Sequence, residues 1–135
     1  MSETHSIGVP YGLQITLGFR KTVYEDGYAR FVLDLDDRHA NRGGIPHGGV
    51  YAAMLDSALG AAASWADNAR GYLPSVTLNL NISFVGKPDG QRLICDARRV
   101  GGGKSNVFCE GTIRDEHGTI VARASGTFRV FPDRA

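Results

Sequence analysis

Residues 47–66 read HGGVYAAMLDSALGAAASWA, and the fold turns on this stretch. It is rich in Ala, Leu and Met, with no proline and no glycine run beyond its first turn, so it favours helix. From Val50 onward the plainly polar side chains are Asp56, Ser57, Ser64 and the Tyr51 hydroxyl. A helix apolar on nearly every side belongs inside a protein and not on its surface. It needs something wrapped around it.

The flanking sequence supplies strands. Upstream, Leu13, Ile15, Leu17 and Phe19 alternate with Gln14, Thr16, Gly18 and Arg20, which predicts a half-buried strand over residues 13–19. Glu25-Asp26-Gly27 is a turn signal, and residues 28–35 complete a hairpin. Residues 36–46 are polar and Gly-rich and read as a loop, and residues 67–71 end the helix. Then Val76, Leu78, Leu80, Ile82 and Phe84 alternate with Thr77, Asn79, Asn81 and Ser83. Lys87-Pro88-Asp89-Gly90 turns the chain, and three more strands follow at residues 93–100, 105–114 and 119–131. The order is two strands, one long helix, four strands, an α+β pattern. One apolar helix is shielded by such a set only if the sheet curls around it. A chain of 135 residues suits a single domain, with residues 1–11 as a loose leader.

Composition removes several function classes. A formal net charge of +1 is too small for a general nucleic-acid binder, and no basic amphipathic stretch points to a membrane surface. Asp56, Ser57 and Ser64 interrupt the best candidate for a membrane span. The N-terminus lacks the basic start and apolar run of an export signal, so Cys95 and Cys109 read as reduced thiols in a cytoplasmic protein. His5, His39, His47 and His117 lack ligand spacing, so no metal is expected. There is no Gly-x-Ser-x-Gly elbow for a serine hydrolase. Gly101-Gly102-Gly103-Lys104-Ser105 looks superficially like a phosphate loop. Arg98 stands where such a loop needs its first glycine, though, and a strand follows where it needs a helix.

Asp56 stands out. A carboxylate in an apolar helix loses hydration, so it needs partners or stays protonated; it is either a structural hydrogen-bonding hub or a functional acid. Gly48 and Gly49 lie where the helix begins, among unpaired backbone N–H groups and a partial positive charge. Their missing side chains let a substrate oxygen approach that backbone, or let the helix cross the sheet closely. His47 and Asp56 are nine residues apart, ~13 Å along a helix axis and half a turn out of phase. Within one chain they cannot share a reacting atom. If they belong to one site, it is built across a symmetric dimer.

The segment NRGGIPHGGV at residues 41–50, continuing to Met54-Leu55-Asp56, resembles the hotdog-fold acyl-CoA thioesterases of the phenylacetate-degradation (PaaI-like) type. The likeness extends through SVTLNLNISF at residues 75–84 and the Gly103-Lys104-Ser105 turn, covering about residues 13–131. It implies a hotdog fold, a curved antiparallel sheet wrapped around one long central helix. It also implies hydrolysis of an aryl- or medium-chain acyl-CoA to free acid and CoA. The Gly48 N–H would polarise the thioester carbonyl, and Asp56 of the partner subunit would act as general base or nucleophile. Asn41 would bind the attacking water or the leaving-group side. His47 would hold the start of the helix and the thioester, and Thr77 would position water. Gly49, Gly103, Lys104, Ser105 and Arg98 would contact CoA, with Arg99, Lys87 and Arg70 as further candidates for its nucleotide end. Tyr51, Met54, Leu59, Trp65 and Tyr72 are candidates to line an acyl pocket. CoA is then part of the substrate and no cofactor is needed. The expected assembly is a dimer at least, with a tetramer implied by the resemblance. The competing readings are a hotdog acyl-CoA sensor without turnover and a hotdog hydratase. A buried acid beside the carbonyl speaks against the first, and the His47-to-Asp56 pattern against the second.

Overall fold

The computed structural model describes residues 6–134. In chain order they form α1 (Gly12–Leu17), β1 (Arg20–Glu25), β2 (Tyr28–Asp34), α2 (Gly48–Ser64), β3 (Ser75–Phe84), β4 (Arg92–Gly102), β5 (Asn106–Asp115) and β6 (Ile120–Val130), with short 3-10 turns at Asp37–His39 and Pro132–Arg134. The six strands make one sheet in the order β1-β2-β4-β5-β6-β3, every neighbouring pair antiparallel. The helix α2 packs against all six strands, which is the hotdog arrangement. Its Met54, Leu55, Ala58, Leu59 and Ala62 are fully buried against Leu33, Leu93, Cys95, Ile113 and Phe128 of the sheet. Glycines let the two layers approach. A Cβ at Gly111 would stand 2.5 Å from Leu59 Cδ1, and one at Gly126 would stand 3.3 Å from Leu59 Cδ2.

Residues 13–19 are not the strand that their alternation suggests. They fold largely as α1, which ends on Gly18 in the left-handed conformation, and the first strand starts at Arg20. Leu13 and Ile15 face solvent, while Gln14 is buried and donates to Ser6 Oγ at 2.9 Å. A run this short carries too few positions for periodicity to separate helix from strand, and tertiary contacts decide. The hairpin survives one segment later, with Gly27 at φ 72° closing the turn between Glu25 and Tyr28. Of the expected leader, residues 1–5 lie outside the described residues, and Ile7 is tied to β1 by its N–H on Lys21 O at 2.7 Å.

Two buried polar residues hold the loops that frame the sheet. His39 accepts the Asp36 N–H at Nδ1 and donates from Nε2 to Leu17 O, joining the end of α1 to the loop before α2. Asp115 accepts four backbone N–H groups, from Asp89, Gly90, His117 and Thr119, at 2.7 to 2.9 Å. Burial alone would raise its pKa, but these four donors pull it down to about 2. Asp115, Glu116 and His117 offer donor atoms within 4.8 Å of one another. The Asp115 carboxylate is nonetheless already committed to backbone, and that of Glu116 accepts the Gln91 and Arg92 N–H groups.

Among the described residues no helix is long and apolar enough to cross a membrane. The two edges of the sheet differ. The edge strand β1 turns a lysine inward, whereas β3 is ten residues long and exposes Val76, Leu78 and Phe84. A long apolar edge is a template for pairing with another strand.

Candidate active site

The stripe of α2 left uncovered by the sheet runs through Ala53, Asp56, Ser57, Gly60 and Ala61, all of them partly exposed. Asp56 is therefore not the buried acid that the helix pattern suggests. It sits on the open stripe and accepts a hydrogen bond from Thr77 Oγ1 at 2.6 Å. The open stripe and β3 enclose a groove of about 440 Å3 lined by Asp56, Ser57, Gly60, Thr77 and Tyr72, among others. Its wall includes Tyr11, whose hydroxyl donates to Ser57 Oγ at 2.7 Å.

Thr77 reaches Asp56 because β3 is irregular. By plain alternation Thr77 would share a face with Asn79 and Asn81, opposite Leu80 and Ile82. The pairing with β6 slips between Thr77 and Asn79, so Thr77 pairs with buried Phe128 while Leu80, Ile82 and Phe84 pair with Gly126, Ala124 and Ala122. One extra residue, Leu78, flips the phase and turns Thr77 onto the helix side.

At the other end of β3 stands the start of α2. His47 is the N-cap, its Nδ1 accepting the Gly49 N–H at 2.7 Å, and Val50 N–H bonds to His47 O. With Nδ1 an acceptor, the proton of a neutral ring sits on Nε2, which faces solvent. The Gly48 N–H has no partner among the described residues and, as a first-turn amide, none inside the helix. Gly48 lies against the Phe84 ring, which also stacks on Tyr51. Asn41 organises the preceding loop: its Oδ1 accepts Gly43 N–H at 2.8 Å and Ile45 N–H at 3.3 Å, leaving its NH2 group outward. Asp56 with Thr77 and Gly48 with His47 thus stand at opposite ends of one strand.

The turn at Gly103-Lys104-Ser105 closes β4 onto β5, and Arg99, Gly101, Gly102, Gly103 and Lys104 line an exposed cleft there. The structure does not bring Arg98 to that cleft. Arg98 lies over the Tyr28 ring, 4.3 Å from its centroid, whereas Arg99 borders the cleft and pairs with Asp26. The single-residue difference follows from strand alternation and from the slip in pairing after Arg99. Lys87 is exposed beyond β3, and Arg70 packs 5.3 Å from the Tyr72 ring centroid. The expected acyl-pocket set is mostly core. Met54, Leu59 and Tyr51 are buried, Trp65 caps the end of α2, and only Tyr72 lines a cavity.

The profile of the thioesterase superfamily matches residues 43–122, a span that includes the first turn of α2, Asp56, Thr77 and the glycine turn. The chain belongs to the thioesterase superfamily. This thioesterase is accordingly a thioester hydrolase. A Halobacterium salinarum protein named as a candidate esterase is 31% identical to it over 138 residues, covering 91% of this chain and 87% of that one. The solved structure of PaaI from the phenylacetic acid degradation operon of Escherichia coli shares the fold at TM-score 0.77 and 21% identity, over 88% of this chain and 83% of that one. A Streptococcus mutans protein solved with acetyl CoA bound shares it at TM-score 0.74 and 23% identity, over 94% of both chains.

Proposed function

We propose that this thioesterase hydrolyses acyl-CoA thioesters, aryl or medium-chain, at a site shared by two subunits. The observation that carries the reading is the free Gly48 N–H at one end of the unpaired β3 edge and the Thr77–Asp56 pair at the other. Thr77 and Phe84 are equally far from the midpoint between Leu80 and Asn81. A two-fold antiparallel pairing of β3 with its copy, centred there, carries each Thr77 to the Phe84 end of the partner. Asp56 of one subunit then faces Gly48 of the other, twice per dimer.

In that site the thioester carbonyl oxygen accepts the Gly48 N–H, supported by the positive end of α2. Asp56 either removes a proton from water as it attacks the carbonyl carbon or attacks directly. Its short side chain and the Thr77 hydroxyl favour water. The oxyanion that forms rests on Gly48. Its collapse breaks the carbon–sulfur bond, and the proton held by Asp56 passes to the departing thiolate. The Nε2–H of His47 and the amide of Asn41 are donors placed to hold the thioester and the water. Gly49 serves the cap, while Gly103, Lys104, Ser105 and Arg99 supply backbone and charge for the phosphate end of CoA. The Streptococcus mutans neighbour, solved with acetyl CoA, supports this ligand class. A cytoplasmic location and a tetramer of two such dimers remain part of the reading.

Release of free CoA, followed by thiol trapping over a panel of aryl and aliphatic acyl-CoAs, tests it. Asp56→Asn is expected to lower turnover about 100- to 10,000-fold while the dimer persists. Tight acyl-CoA binding by the wild type without turnover would replace hydrolysis by the sensor reading.

A further inference from the structure

A second cavity adjoins the groove at Asp56. Tyr11, Ser57, Ser64 and Tyr72 line both that groove and this cavity of about 650 Å3, which extends toward β1 and is closed by Tyr24 and Phe31. From Ser57 to Ser64 the shared wall runs about 10 Å along α2, and the volume is that of a small-molecule pocket. An acyl group whose carbonyl lies at Asp56 has this chamber as its natural continuation. Among the described residues no aspartate or glutamate lines it, but Lys21 and Arg70 do. Arg70 is engaged, donating to Arg134 O at 2.9 Å. Lys21 is not. Its register partner is Phe31, which puts it on the sheet face turned toward α2. Its Nζ lies 4.0 Å from the Tyr24 ring centroid, and no carboxylate pairs with it among the described residues.

An inward lysine on an edge strand also discourages unwanted pairing, and β1 is an edge. That role needs no ligand. It does not account for a chamber that is cationic, free of acids among the described residues and walled in common with the catalytic groove. We propose that Lys21 is the specificity-determining residue of this chamber, selecting acyl groups that end in a carboxylate or comparable anionic oxygen over those that end in a methyl. This rests on the acyl-CoA thioesterase reading. An anionic end gains a charge-assisted hydrogen bond from a half-buried ammonium, whereas a methyl end leaves that ammonium facing only an aromatic ring.

The test compares kcat/KM for adipoyl-CoA and hexanoyl-CoA in the wild type, Lys21→Met and Lys21→Arg. The wild type is expected to favour adipoyl-CoA. Lys21→Met is expected to lower the adipoyl-to-hexanoyl ratio on the order of 10-fold or more, and Lys21→Arg to restore part of it. A wild type that favours hexanoyl-CoA, or a ratio unmoved by Lys21→Met, overturns the proposal. Calorimetric titration of both thioesters against Asp56→Asn, with and without Lys21→Met, reads the same ratio as dissociation constants. If no thioester is hydrolysed, the thioesterase reading fails on its own, and the titration still decides for or against Lys21.

Discussion

His47 caps α2 through its ring, and that hydrogen bond engages the Gly49 N–H while the Gly48 N–H keeps no partner among the described residues. A Cβ at Gly49 would come 2.9 Å from His47 Nδ1, so the cap that takes the Gly49 N–H also needs the space a side chain would fill. At Gly48 the N–H is unclaimed, and a Cβ would meet only the Phe84 ring, at 3.2 Å. The sequence left two reasons for these glycines, steric and chemical, and both positions are tight, Gly49 against the His47 ring and Gly48 against Phe84. Gly48 is also the first residue of the helix, where proline is tolerated because its missing N–H has no helical partner. Gly48→Pro is therefore expected to keep the helical circular dichroism while lowering turnover about 100- to 1,000-fold through the lost carbonyl donor. Gly48→Ala, which keeps the N–H, is expected to lose far less. Equal losses in the two variants would mean that the space, not the N–H, matters.

At the level of elements, the helix and sheet meet through glycines. Leu59 fills the gap over Gly111 and Gly126, and Leu55 Cδ2 would stand 3.4 Å from a Cβ at Gly111. Gly111→Ala is expected to cost about 1–3 kcal/mol of stability in urea unfolding through overpacking. In a Leu59→Ala background, where the clashing methyl is gone, the same substitution is expected to cost less by about 0.5 kcal/mol or more. Strict additivity would show that the helix shifts as a body instead. The strand β3 has the opposite character. Its single bulge spoils the regular register but aims Thr77 at Asp56, the carboxylate on which the proposed hydrolysis depends.

For the whole molecule, the proposed two-subunit site would leave a single chain with Asp56 and Gly48 at opposite ends of β3 and neither complete alone. The exposed Val76 and Leu78 make that edge apolar, so assembly and activity are expected to fall together. Val76→Lys combined with Leu78→Lys places like charges along the edge without touching Asp56, Thr77 or the buried face. The expected result is a folded monomer by light scattering, with turnover dropping in proportion to the dimer that remains. A fully active monomer would exclude the shared site.

The sequence by itself determined a great deal here. The apolar helix, the number of strands and the turn at Asp26-Gly27 follow from local composition and periodicity, and the same stretch singles out Asp56, His47 and the two glycines as candidates. These are properties that neighbouring residues carry among themselves. Tertiary structure alone decided that residues 13–19 turn into α1, because a short run takes its form from what it packs against. It also decided that Asp56 lies on the open stripe, since the sheet covers only part of the helix. Only the pairing of β3 with β6 revealed the slip that turns Thr77 inward, and only the fold brought Lys21 of the first strand beside a cavity that shares a wall with the groove at Asp56. Contacts between residues distant in sequence depend on register and packing, and neither is written in any single stretch of chain.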